Sequence, residues 1–362
     1  MTKARNLADL LNADGQIDNA DIADNTIANA KLAQTPNFRN IIINGDMSIA
    51  QRATSSSGIT SDGYYTVDRF LVDCDSQGTW TMLQSTDVPS GQGFTTSLKM
   101  DCTTADAAPA ASDKLTIQHR VEGQNLQYLK KGTANAQSLT ASFWVKSNKT
   151  GTYICELFDV DNLRSISKAY TIDASNTWEK KTITFAGDTT GAFDNDNGVS
   201  FALDFFLGAG SNFTSGTLQT SWGSSVEANR APGQVNLADN TANNFWITGV
   251  QLEAGTTASD FEFLPYDVNL QRCQRYYYEP PPCNIYTMGI TGFYIIENLN
   301  FPVEMRATPT MTETFAATSA VVADQNVTPR DKRGYLFYSN FTSGGAATSR
   351  NVASDITADA EL

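Results

Sequence analysis

Alternation of apolar and polar residues at period two organises most of this chain. Leu139, Ala141, Phe143 and Val145 alternate with Thr140, Ser142, Trp144 and Lys146, the pattern of a strand with one buried face. Phe201, Leu203, Phe205 and Leu207 alternate in the same way with Ser200, Ala202, Asp204 and Phe206. Tyr153 to Phe158 and Trp178 to Phe185 read as further strands. Turn clusters punctuate them: Lys149-Thr150-Gly151, Asp161-Asn162, Asp194-Asn195-Asp196-Asn197-Gly198 and Gly208-Ala209-Gly210. Many short strands with such punctuation predict an all-β fold, a β-sandwich or jelly roll, here over residues 38-278. Long loops are expected from Thr104 to Ser112 and from Gly208 to Asn236.

Both flanks depart from this pattern. Residues 1-37 are rich in Ala, Asp and Asn, and their apolar positions Ile17, Ile22, Ile27 and Leu32 fall five apart. That period fits neither a strand nor a straight helical stripe. Four such repeats are too few to hide a core of their own, so the segment is read as a short extended or helical N-terminal arm. Its apolar row serves oligomerisation or attachment. Towards the other end, Pro280-Pro281-Pro282 cannot donate ladder hydrogen bonds and marks a boundary. Residues 279-362 are then expected to form a small C-terminal β domain, with strands at Gly292 to Ile296 and Gly334 to Tyr338. Phe301 to Pro309 reads as an extended edge segment. Asp267 to Tyr278 is open to helix or strand, and the tyrosine triplet favours strand.

Composition narrows the classes of function. Of 362 residues, 41% are hydrophobic and 18% charged, the latter below the usual average of about 25%. Twenty-five Lys and Arg against 39 Asp and Glu give a formal charge of −14. Nucleic-acid binding needs cations to displace phosphate counterions, so it is not expected, and neither is an anionic membrane surface. No stretch approaches the roughly 20 apolar residues of a membrane span, and no secretory signal is expected behind Met1 to Arg5. The five cysteines, Cys74, Cys102, Cys155, Cys273 and Cys283, are widely spaced without a Cys-x-x-Cys pair. Reduced, mostly buried thiols are expected, with no metal site.

Candidate chemistry is sparse. His119 is the sole histidine. It sits in an alternating strand without a Gly-x-Ser-x-Gly nucleophile elbow, so no catalytic residue is assigned and the chain is not expected to be an enzyme. Asp194 to Gly198, and Glu156 with Asp159 and Asp161, gather oxygen ligands but lack the twelfth-position Glu of a calcium loop. No cofactor is predicted; a structural Ca2+ is left open. Exposed indoles are the natural sugar platforms, because a flat ring meets the C–H face of a sugar. Trp222, in a polar loop, Trp144, on the polar side of its strand, and Trp80, after Gly78-Thr79, are the candidate glycan contacts.

Two stretches carry a resemblance. One is Asn40-Ile41-Ile42-Ile43-Asn44-Gly45-Asp46-Met47-Ser48-Ile49-Ala50-Gln51-Arg52, followed by Val67-Asp68-Arg69-Phe70. The other runs from Phe245-Trp246-Ile247-Thr248-Gly249-Val250-Gln251-Leu252-Glu253-Ala254-Gly255 through Phe261 to Tyr266 and on to Arg272-Cys273-Gln274-Arg275-Tyr276-Tyr277-Tyr278. Together they resemble bacteriophage tail-fibre and related virion structural proteins with a carbohydrate-binding-module-like domain, as do the closing residues Thr357 to Leu362. The resemblance implies a jelly-roll β-sandwich and a homotrimeric tail fibre in the virion, assembled in the host cytoplasm. Its arm would hold a phage tail, baseplate or capsid protein, and its β surface would recognise a host cell-surface glycan during adsorption. The alternatives are a capsid-attached fibre or decoration protein, and a glycan-degrading enzyme. The motifs themselves read as strand ends and turns and name no receptor site.

Overall fold

The computed structural model describes residues 38–362, apart from residues 282, 289–293, 318–321 and 342–347, and the side chains of 282–295, 315–325 and 339–355 are likewise outside the description. The arm residues Ile17, Ile22, Ile27 and Leu32 lie outside the described residues.

The larger unit is built from β1 (Ser55–Ile59), β2 (Leu71–Asp75), β3 (Thr79–Ser85), β4 (Ser97–Thr104), β5 (Lys114–Glu122), β6 (Leu139–Ser147), β7 (Gly151–Asp159), β8 (Arg164–Ile172), β9 (Glu179–Phe185), β10 (Val199–Ala209), β11 (Gly223–Ser224) and β12 (Asn244–Ala254). They form two six-stranded sheets, sheet A in the order β1-β3-β4-β12-β6-β9 and sheet B in the order β11-β8-β7-β10-β5-β2. The strand pairs within both sheets are antiparallel. The sheets face each other over one core, so the chain folds as a jelly-roll β-sandwich. Both predicted alternations point inward: Phe143 of sheet A meets Phe205 of sheet B edge-on, with ring centroids 4.9 Å apart. Tyr153 and Phe245 meet across the same interface at 5.7 Å.

β10 is buried along nearly its whole length. Its polar-phase residues, expected at a surface, are covered by a loop that carries α1 (Ser211–Thr214). Phe206, Ile154, Phe213 and Ala231 form a satellite core beneath that loop. The same cover buries Glu156 and Asp204, which are register partners on β7 and β10.

The two resemblance-bearing stretches lock onto each other. Asn40 accepts from the Ile42 and Leu252 amides and donates to the Val250 carbonyl. The Gly45 carbonyl accepts from the Val250 amide at 2.8 Å, and a Cβ at Gly45 would run into the Val250 carbonyl oxygen. Asn44, at φ 62°, binds the Ile49 amide and the Ile49 and Asp68 carbonyls. The left-handed conformation suits an Asn, whose short side chain satisfies the local backbone.

Tyr266–Gln274 forms a helix, α2, where strand was favoured. Asn269 and Cys273, four apart, are its buried residues, and that helical spacing outweighs the tyrosine triplet. The triplet begins only after the helix, and just Tyr277–Tyr278 form a strand, β13. Beyond it come β14 (Cys283–Met288), β15 (Tyr294–Asn300), β16 (Thr310–Ala317), β17 (Val322–Asp331), β18 (Gly334–Phe341) and β19 (Thr348–Asp359). β13, β14 and β16 pair with β19, and β15-β18-β17 make a second sheet. Phe301 to Pro309 is irregular rather than an extended edge, because Phe301 and Met305 turn into the small core with Val327, Tyr335, Phe337 and Ile356.

The last residues return to the sandwich. Glu361 pairs with Arg69, which is fully buried and lies over the Tyr276 ring. Arg52 reaches Asp359 and Glu361 at 3.1 and 3.4 Å. Leu362 packs beside Ile43, Ile49 and Cys273.

Candidate functional site

The outer face of sheet A carries a row of alternating rings and cations. Strand register sets Leu83 beside Lys99, Lys99 beside Trp246 and Trp246 beside Lys146. Glu179 pairs with Val145, so Trp178, one residue earlier, continues the row beside Lys146. Period-two geometry puts these side chains on the face opposite the core. The Lys146 ammonium lies 4.4 Å from the Trp246 ring centre and 5.4 Å from that of Trp178, and the Lys99 ammonium lies 5.0 Å from the Trp246 ring centre. Such cation–π contacts restrain the indoles.

Asp87, from the loop after β3, completes the row. It accepts from Lys146 and, at 3.0 Å, from Trp178 Nε1. Burial pushes its carboxyl up, but the Lys146 and Trp178 hydrogen bonds and the lysine charges outweigh this and hold it below the usual carboxylate range. Trp246 Nε1 is buried with no hydrogen-bond partner. A buried indole N–H without an acceptor is costly, and here it borders a surface bearing three half-buried tryptophans, Trp144, Trp178 and Trp246. The row thus offers planar apolar platforms beside an ammonium and a carboxylate, the functional groups that a polyhydroxylated ring requires.

Of the three sequence candidates, Trp144 belongs to this face, beside Thr248 and Lys180. Trp222 does not: it packs half-buried against the sandwich core and donates to the Ala186 carbonyl at 2.7 Å. Trp80 is fully buried, with Nε1 donating to the Gln77 carbonyl at 2.7 Å. Its assignment as a glycan contact is corrected: it alternates in phase with Met82, so its ring points into the core. Trp178 and Trp246 were not on the candidate list. The signal for Trp246 was its shared phase with Thr248, obscured by the apolar neighbours Phe245 and Ile247.

The oxygen-rich stretches are spoken for internally. Glu156 binds Arg230, with an Nη2–Oε2 distance of 2.6 Å. Asp159 binds Lys131 and Asn162. Asp161 accepts from the Asp194 amide and Asp196 from the Gly198 amide. Among the described residues no group of three or more His, Cys, Asp or Glu is arranged to hold a metal ion. His119 is buried, and its Nε2 accepts from the Ile43 amide at 3.1 Å. Burial first, then the Arg69 and Arg272 charges, hold it neutral well below its ordinary range. Cys74, Cys102, Cys155 and Cys273 are free and buried, and burial pushes each thiol up.

No family model matches this sequence, and no curated protein does. Among solved structures, the chain is similar to the enzymatically active domain of tailspike protein 4 of bacteriophage CBA120, at 14% identity and a TM-score of 0.31, over 60% of this chain and 21% of that one. It is also similar to a family 4 carbohydrate-binding module at 9% identity and a TM-score of 0.30, over 59% and 99% of the two chains. A third is the module TmCBM61 in complex with beta-1,4-galactotriose, at 10% identity and a TM-score of 0.30, over 60% and 99%. The chain spans about a fifth of the tailspike domain's length.

Proposed function

We propose that this chain is a virion fibre protein, a homotrimeric tail fibre held to the particle by residues 1-37, that recognises a host-surface glycan without chemically altering it. The observation that carries the reading is the Trp246–Lys146–Trp178 row with Asp87 on the outer face of sheet A. Shallow platforms of this kind bind weakly one at a time. Presented in several copies on one particle they gain avidity without any deep pocket. The tail-fibre identity is supported by the Asn40 to Arg52 and Phe245 to Tyr278 stretches, which build the scaffold behind the row.

The chain is read as a binder rather than an enzyme, and one adjacent pair of acids is placed where it could not act. Glu156 and Asp204 are adjacent carboxyls, but both are fully buried beneath Arg230, where no glycosidic bond could lie between them. A glycan array probed with the full chain, repeated with Trp246→Ala, tests the reading: binding to at least one glycan class should appear and be lost in the variant. Sedimentation should give about three times the 39.3 kDa protomer mass, and a monomer at micromolar concentration would contradict the trimer.

A further inference from the structure

A second cavity lies away from the tryptophan row, between Asn40 to Ile43, the end of β5, the turn at Gln124 to Tyr128, and α2, with a volume of about 420 Å³. Its walls include Arg120, Arg272 and Arg275 and neither Asp nor Glu, in a chain where acids outnumber Lys and Arg by 39 to 25. Arg275 is committed to Glu122 through two 2.8 Å hydrogen bonds. Arg120 donates to Gln118 and, at 2.8 Å, to the Leu362 carbonyl. Arg272 makes no hydrogen bond or ion pair among the described residues, and the Glu262 carboxylate acts on it only through longer-range charge. Burial lowers its pKa, as expected for a guanidinium withdrawn from water without an acceptor.

His119 supplies an independent sign of a missing acceptor. It is 1% exposed and lines the same cavity. Because Nε2 accepts from Ile43, the ring proton sits on Nδ1, and Nδ1 has no partner. At the rim, Tyr128 is 50% and Phe38 64% exposed, and beside them stand the exposed amide of Asn125 and the side chain of Gln124, whose amide nitrogen donates to Glu122. The cavity therefore gathers unanswered donors, side-chain amides and open rings in one place.

We propose that this cavity is a subsite for a carboxylated sugar residue. The carboxylate meets the free guanidinium of Arg272, whose planar fork matches it, with the buried Nδ1–H of His119 close by. The Asn125 amide and the Gln124 carbonyl oxygen serve the hydroxyls, and the Tyr128 ring serves the C–H face. The volume lies within the range of about 300–1,000 Å³ usual for small-molecule sites. The sugar part of this assignment rests on the glycan-binding reading above, whereas the anion part rests on the cavity alone.

Calorimetric titration of the full chain with oligogalacturonate, neutral oligogalactose, acetate and inorganic phosphate separates the two. Arg272→Gln should weaken oligogalacturonate binding at least about tenfold, the scale of one charge-assisted hydrogen bond to a buried group, and leave neutral binding through the Trp246 face unchanged. Tyr128→Ala, at an exposed position, should weaken the same ligand with no change in melting temperature. Three outcomes overturn the proposal: equal affinity for the acidic and neutral oligomers, no effect of Arg272→Gln, or phosphate and acetate binding as tightly as the acidic sugar. Loss of neutral binding in Trp246→Ala with the acidic sugar retained would bear on the tryptophan row alone. If neither oligomer binds, both readings fall.

Discussion

Replacing Arg230 by methionine should destabilise the sandwich in a strongly pH-dependent way. Arg230 Nη2 lies 2.6 Å from Glu156 and 3.5 Å from Asp204 Oδ2. Ser167 is the other donor to Glu156 and Gln118 the donor to Asp204. Burial raises the Glu156 carboxyl against the opposing pull of Arg230. Burial, together with the Glu156 charge, pushes Asp204 up to about 7. An unfolded Asp titrates near 3.9, so between about pH 4 and pH 7 the folded chain holds a proton that the unfolded chain releases. The contribution of Asp204 to stability is thus greatest below that window and falls as pH rises through it. Without Arg230 both carboxyls are driven higher still, and the cost of ionising them comes in full at alkaline pH. Stranding a buried charge costs about 3–5 kcal/mol, or about 6–20 °C of melting temperature for a unit of this size. At about pH 4.5, below the raised Asp204 value and where the variant's carboxyls take up protons more readily, the deficit should shrink towards that of lost hydrogen bonds and packing, about 1–2 kcal/mol. Near-ultraviolet circular dichroism melts of both proteins at about pH 4.5 and pH 8 measure the deficit. An equal deficit at both pH values, or none at pH 8, would refute the reasoning.

Other expectations follow from single contacts. Glu361→Gln leaves the fully buried Arg69 without its counter-charge and should cost about 3 kcal/mol or more; hydrogen exchange at 356–362 should rise well before that of β10, and unchanged protection would contradict the clamp. Gly45→Ala forces a methyl into the Val250 carbonyl and should lower the urea midpoint by an amount equivalent to about 1–3 kcal/mol, whereas Gly91→Ala in an open loop, where strain comes from its φ of 73° alone, should cost about 1 kcal/mol. Alkylation of the native chain should spare Cys74, Cys102, Cys155 and Cys273 until it unfolds, since all four are buried with raised pKa; rapid modification of any of them would contradict the burial.

The sandwich was legible because Leu139 to Lys146 and Ser200 to Leu207 state their inward face in period two, which points both Phe143 and Phe205 into the core, although their meeting across the two sheets is not given by the pattern. What sequence could not convey was cover. Asp204 has the phase of a surface residue, and only the distant loop around Arg230 buries it. Trp80 follows a glycine and a threonine as a loop residue would, but its phase with Met82 decides its direction. The tyrosine triplet argued for strand over a segment whose helix is set by Asn269 and Cys273 four residues apart. The cavity proposed for an acidic sugar draws on residues near 40, 120 and 272, which no local motif joins. Trp144 was legible as an outward ring, while its partners Trp178 and Trp246 become neighbours only once β6, β9 and β12 pair.

The central claim is that the ring-and-cation face of sheet A holds a glycan. The most direct measurement is the affinity of the full chain for the best glycan found on an array, compared with Trp246→Ala and Trp178→Ala at unchanged melting temperature. Each indole lost should weaken binding by about 1–3 kcal/mol, by analogy with ring stacking on aromatic side chains, or roughly five- to 150-fold. Full affinity in both well-folded variants would contradict the account.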